Sequence, residues 1–149
     1  MIDASQAEAT DPFGRFAVGQ HATSQRTVTS HDVVLFAAVT GDLNPVHVDE
    51  GYATQSQFGA RIAHGMLTAG FISATMAMQL PGPGAVYLSQ TLRFLRPVRI
   101  NDTVTTRVEI IGVESATRQL TVATTVSNKL GKRIVEGEAV VLIPAVRRG

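Results

Sequence analysis

The chain has 149 residues, 44% of them hydrophobic and 17% charged, with a formal net charge of +1. That composition reads as one soluble globular domain with a core of its own, and it supplies no field strong enough to draw nucleic acid or an anionic membrane surface. The absence of cysteine excludes disulfides, thiolate metal sites and cysteine nucleophiles, and fits a cytoplasmic protein.

Residues 1–15, MIDASQAEATDPFGR, have neither the basic start nor the apolar run of a secretory signal. They read as a flexible leader ahead of a single domain over 16–149. Residues 20–29 mix β-branched and polar side chains and suit an edge strand. Ser30 reads as a helix cap with Asp32 in the first turn, and Val33, Leu35, Phe36, Ala37 and Val39 continue that helix to a stop at Gly41. Residues 42–48 read as a loop stiffened by Asn44-Pro45. Asp49 can cap a short helical piece reaching Ser56.

Residues 62–80 then form the longest apolar stretch. It contains no Asp, Glu, Lys or Arg, which raises the question of a membrane span. His64, Gly65, Thr68, Gly70, Ser73, Thr75 and Gln79 dilute it, and no basic cluster flanks one end, so no membrane span is expected. Met66, Leu67, Phe71, Ile72, Met76 and Met78 fall on every side, which predicts a helix buried all round. Pro81-Gly82-Pro83-Gly84 ends it.

The remainder reads as β structure. Residues 86–96 alternate, with Pro97 closing the strand; 103–113 place Val104, Val108 and Ile110 on one face; 120–126 repeat the pattern; Gly131 marks a turn; and 134–143 make the last strand. Spacing of this kind implies antiparallel hairpins. A helix apolar on all sides needs more than one face of a flat sheet. A curved antiparallel sheet wrapped around one central helix, with a second subunit completing the enclosure, satisfies it. The class is α+β.

Two clusters carry chemistry. In Gly41-Asp42-Leu43-Asn44-Pro45-Val46-His47-Val48-Asp49, a carboxylate and an imidazole five residues apart can converge on one small volume. Asp42 and His47 could hold one water, one accepting its proton and the other orienting it, with Asn44 bonding the loop backbone. A plainer reading is a helix-ending Asp, an Asn-Pro turn and a partly exposed His. In Ala63-His64-Gly65-Met66, at the start of the long helix, free backbone N–H groups point outward with the positive end of the dipole. A thioester oxygen docked at Gly65 N–H would meet an oxyanion hole; alternatively, Gly65 merely relieves crowding. Asp42, His47, Asp49 and His64 are all conceivable metal ligands, but no recognised ligand spacing is present, so no metal and no cofactor are expected. His21 and His31 read as surface or capping residues. Gly-x-Gly-x-x-Gly, Walker and Gly-x-Ser-x-Gly motifs are absent.

These motifs together resemble the MaoC-like (R)-specific enoyl-CoA hydratases of the hot-dog fold, including those that supply polyhydroxyalkanoate synthesis. The resemblance runs from about residue 16 to 144 and rests on GDLNPVHVDE (41–50), IAHGML (62–67) and YLSQTLRFLRPVRINDTV (87–104). It implies that Asp42 and His47 activate a water for attack on C3 of a trans-2-enoyl-CoA and return a proton to C2 on the same face. It further implies that Gly65 N–H holds the thioester oxygen, with Asn44, His64 and Met66 lining the substrate site. Ser73 falls where a serine assists in these hydratases; its other reading is a hydroxyl bonded to a carbonyl one turn back. A homodimer or higher homo-oligomer, with the acyl tunnel near the subunit interface, is implied as well.

Three rivals share the fold: a 3-hydroxyacyl-[acyl carrier protein] dehydratase, a thioesterase, and one subunit of a hetero-dimeric dehydratase. Asp42-x-Asn44-Pro45-x-His47 argues against the thioesterase. Arg93, Arg96 and Arg99 would suit either a CoA or a carrier-protein thioester.

Overall fold

The computed structural model describes residues 11–146. Its element order is a short 3-10 helix (Pro12–Arg15), β1 (His21–Thr27), α1 (Ser30–Thr40), α2 (Pro45–Val48), α3 (Glu50–Gln55), α4 (Gly65–Met78), β2 (Val86–Phe94), β3 (Thr103–Glu114), β4 (Gln119–Asn128) and β5 (Arg133–Leu142). One five-stranded sheet, in the order β1-β3-β4-β5-β2, is antiparallel throughout. The architecture is the expected α+β sheet with one long helix on its inner face.

Alternation builds that inner face. Val104, Thr106, Val108 and Ile110 of β3, and Leu120, Val122, Thr124 and Val126 of β4, are buried at every second position, as a period-two pleat requires. Register shifts at Tyr87/Ser89, Ile110/Gly112 and Val126/Ser127 interrupt the ladders, and irregularities of this kind bend and twist a strand. Against this face α4 presents Thr68, Ile72, Thr75 and Met76, one side of a helix at spacings of three and four.

Several boundaries differ from the sequence reading. The cap of α1 is Thr29: its hydroxyl accepts from Asp32 N–H and the Asp32 carboxylate accepts from Thr29 N–H, a reciprocal capping box. Gly41 closes that helix at φ 77°, as expected of a left-handed stop. The expected loop over 42–48 contains α2, because Asn44 caps and Pro45 occupies the first helical position, where a proline's missing N–H costs nothing. The long helix begins at Gly65, three residues late: Ile62 bridges to Arg99, and Ala63 N–H bonds the Val98 carbonyl. Burial of α4 is one-sided in the single chain. Met66 and Met78 are exposed, together with Gly70, Ser73 and Ala77. The first strand of the β series makes no hairpin with its successor: β2 pairs with β5 at the far edge, and only β3, β4 and β5 form a meander.

Part of the expected leader packs on the domain. Pro12–Arg15 is ordered, Phe13 belongs to the core, and Arg118 grips both oxygens of Asp11. Residues 1–10 of the expected leader lie outside the described residues. Among those described, no helix is long and apolar enough to cross a membrane.

Candidate active site

The site is assembled by the segment from α1 to the first turn of α4. Gly41 ends α1 and turns the chain so that Asp42 starts a run of local bonds. Thr40 Oγ1 accepts from Asp42 N–H, Asp42 Oδ1 accepts from Asn44 N–H at 3.1 Å, and Asn44 Oδ1 accepts from Val46 N–H at 3.4 Å. Asp42 and Asn44 thus each use the short side chain to fold the backbone ahead of them. One carboxylate oxygen of Asp42 faces this turn, and the residue is exposed.

His47 lies on α2 and is buried, at 8% exposure. Its Nδ1 sits 2.8 Å from the Ile62 carbonyl oxygen. A carbonyl only accepts, so Nδ1 carries a proton, which in the neutral imidazole leaves the lone pair on Nε2. Ile62 N–H in turn donates to the Val46 carbonyl, which ties the short helix to the approach of α4. Arg61 braces the same region through Glu50, the Ser30 hydroxyl and the His47 carbonyl.

His64 is 1% exposed, and its Nε2 donates to the Asp42 carbonyl oxygen at 3.0 Å. Its ring stacks on His47 with centroids 3.9 Å apart and an interplanar angle of 31°, and its centroid lies 4.7 Å from that of Phe36. Gly65 follows as the first residue of α4, so its N–H has no carbonyl partner within the helix. The ring of Phe94 lies over it. A Cβ at 65 would stand 2.8 Å from two Phe94 ring carbons, so this close approach admits glycine and no larger residue without movement.

Asp42, His47, His64, Gly65 and Met66 line one cavity of about 470 Å³. Its other walls are mainly apolar and include Phe58, Thr68, Phe94, Ile134 and Val135, with Arg96 the one cation on its lining. Two expected residues stand outside it. Asn44 contributes through the turn that carries His47, and Ser73 lies two turns along α4 on the exposed side. Ser73 makes no bond to a carbonyl one turn back; Thr75, two residues on, bonds the Phe71 carbonyl instead. Phe94 and Arg96 belong to the stretch singled out in the sequence, but nothing there distinguished lining residues from ordinary strand residues. Ile134 and Val135 carry no sequence signal beyond apolarity.

Of the four conceivable metal ligands, Asp42, His47 and His64 each offer one atom within 4.8 Å of the others. Asp49 is elsewhere, capping α3 through Tyr52 N–H. The His47 Nδ1 and His64 Nε2 atoms are already engaged by carbonyls. What remains is the Asp42 carboxylate and one free nitrogen on each ring, His47 Nε2 and the buried His64 Nδ1. The carboxylate and His47 Nε2, beside an apolar cavity, can move a proton on and off one water.

The model of the MaoC like domain matches residues 15–132. An (R)-specific enoyl-CoA hydratase of Rhodospirillum rubrum is 49% identical over 127 residues, covering 85% of this chain and 88% of the relative. A 3-hydroxybutyryl-CoA dehydratase of Methylorubrum extorquens is 47% identical over 133 residues, covering 89% and 83%. Among solved structures, the unliganded R-hydratase PhaJ1 of Pseudomonas aeruginosa superposes with a TM-score of 0.85 at 44% identity, covering 93% of this chain and 91% of that one. With its fold, its Asp-x-Asn-Pro-x-His loop and its His-Gly helix start accounted for, the chain belongs to the MaoC-like family of hot-dog proteins.

Proposed function

We propose that this chain is a hydro-lyase that reversibly hydrates trans-2-enoyl-CoA to (R)-3-hydroxyacyl-CoA. The observation that carries the reading is the buried His47, whose Nδ1–H is spent on the Ile62 carbonyl, in one cavity with Asp42 and the first N–H of α4. Its relatives named as (R)-specific enoyl-CoA hydratase and 3-hydroxybutyryl-CoA dehydratase support the same reaction in its two directions.

In the proposed mechanism a water sits between Asp42 and His47. As the water oxygen bonds C3, His47 Nε2 takes one of its protons and Asp42 orients the other. Electron density moves through C2 to the thioester oxygen, and the Gly65 N–H, at the positive end of α4, stabilises the charge gathered there. The proton on His47 then passes to C2, restoring the carbonyl. Water and proton leave one pair of side chains, so both arrive on one face of the enoyl plane. The apolar walls take the acyl chain, and Met66 forms part of them.

No metal or organic cofactor enters this sequence of steps. Acyl-CoA is the partner molecule, and a second copy of the chain is the proposed macromolecular partner. A reaction on such a thioester suits the cytoplasm.

The product of trans-2-butenoyl-CoA tests the reading. Loss of enoyl-thioester absorbance with formation of the (R)-3-hydroxy product is expected. The (S) product would overturn the proposed geometry, and release of free CoA without hydration would favour a thioesterase.

A further inference from the structure

His64 stands at the N-cap of α4, and while its carbonyl accepts from Leu67 N–H, its side chain does nothing for that helix. Ser, Thr, Asn or Asp at this position would accept a bond from the second or third N–H of the helix; the His64 side chain makes no such bond. It also buries Nδ1 without a partner, at 1% exposure of the whole residue. A missing cap and an unpaired buried nitrogen both disfavour histidine here, so its local environment does not explain it.

The side chain reaches elsewhere. Nε2 donates to the carbonyl of Asp42, 22 residues earlier in the chain, at 3.0 Å. One face of the ring packs on His47, and Phe36 lies within 4.7 Å of its centroid. Its own backbone leads directly into Gly65. Three parts of the site therefore meet at one residue: the loop bearing the carboxylate, the imidazole, and the helix start bearing the free N–H. Asp42 itself is exposed and lies on a loop, where the remaining bonds are short-range ones to Thr40 and Asn44. Among the described residues, the bond from His64 is the one that joins the carboxylate loop to the start of α4.

We propose that His64 is a positioning residue, tying the Asp42 loop to the α4 N-terminus and flooring the His47 ring, so that one side chain sets the spacing between the Asp42 carboxylate and the Gly65 N–H. Its catalytic consequence rests on the hydratase reading above. A shift on the order of 1 Å in such a spacing can cost roughly a hundredfold in rate. Substrate binding, which draws on the apolar walls, should change little.

Two variants separate the ring from the donor. His64→Phe keeps a flat ring and removes the N–H; His64→Gln keeps an N–H donor at the same reach and removes the ring. With trans-2-butenoyl-CoA, His64→Phe should lower kcat roughly 10- to 100-fold with KM within about twofold, and His64→Gln should recover kcat to well above the Phe variant. A second readout needs no activity. Exchange of the Leu43 and Asn44 amide protons should accelerate in His64→Phe and stay near the wild-type rate in His64→Gln. Wild-type kcat in His64→Phe, equal losses in both variants, or a change confined to KM would each overturn the positioning role, as would unchanged exchange in His64→Phe. If wild-type protein fails to hydrate the thioester, the hydratase reading fails, and the exchange arm alone then decides whether His64 holds the loop.

Discussion

At the scale of single residues, the convergence of the proposed acid/base pair on one cavity was the most legible feature of this protein. Asp42 and His47 lie five apart in one short segment, so their convergence is a property of local backbone, and the Asp42–Asn44 turn that produces it was readable from residue types. What fixes the imidazole was not readable. The Ile62 carbonyl and the His64 ring come from beyond α3, and only the folded chain brings them to His47. Both members of the pair are proposed to act on one water, which has a kinetic consequence. Asp42→Asn and His47→Ala should each lower hydration by about 10²–10⁴-fold with little change in thermal unfolding. The double variant should be scarcely worse than the poorer single one, since either loss disables the same step. Additive losses across the cycle, or near-normal turnover in either single variant, would remove the pair from the mechanism.

At the scale of elements, strand alternation predicted β3 and β4 and their buried faces, because a half-buried pleat writes its period into the sequence. β5 was placed as a strand, but it buries Ile134 and Val135 in succession and shows no such clean period. Pairing across the sheet was illegible: nothing local tells β2 to cross to β5. Gly137 records that crossing afterwards. It pairs with Leu92, and a Cβ there would run into the Thr91 carbonyl. Gly137→Ala should therefore destabilise by about 1–3 kcal/mol, whereas Gly131→Ala, which meets no neighbour, isolates the backbone cost of a positive φ of 74°. Equal losses of melting temperature would mean that β2 does not lie so close. The N-terminal segment offers a pH test. The Arg118 guanidinium beside Asp11, helped by the Phe13 N–H, holds the Asp11 carboxyl at about 2, below its ordinary 3.8. A depressed carboxyl stabilises the fold fully above the unfolded value and loses that contribution as pH falls through the folded one. Protection of the Phe13 amide should thus persist to pH 4 and fade toward pH 2, without a matching loss in β3 or β4. An Asp11 carboxyl titrating near 3.8 by NMR would show that the tie is absent.

At the scale of the whole molecule, the expectation that α4 is buried all round meets a chain that covers only one side of it. Thr68, Ile72, Thr75 and Met76 pack on the sheet, while Met66, Met78 and the small residues between them face outward. The same chain ends its sheet in β2, a nine-residue edge strand along which Val86, Tyr87, Leu88 and Phe94 are exposed. A long apolar edge with unpaired N–H and C=O groups is a liability in a monomer and a natural seam between two copies. Exposed apolar groups on both a sheet edge and a helix face exceed what scattered surface residues require. A second copy of this chain is the proposed cover, since a closed two-fold pairing presents each patch to its own equivalent. Sedimentation at micromolar concentration should therefore find a dimer or a multiple of it. Leu88→Glu, placing a charge on the edge strand, should shift the equilibrium toward monomer and lower thermal stability in proportion to dilution. A compact wild-type monomer that melts at the same temperature across a hundredfold range of concentration would mean that the outward face of α4 and the free edge of β2 are simply tolerated in water.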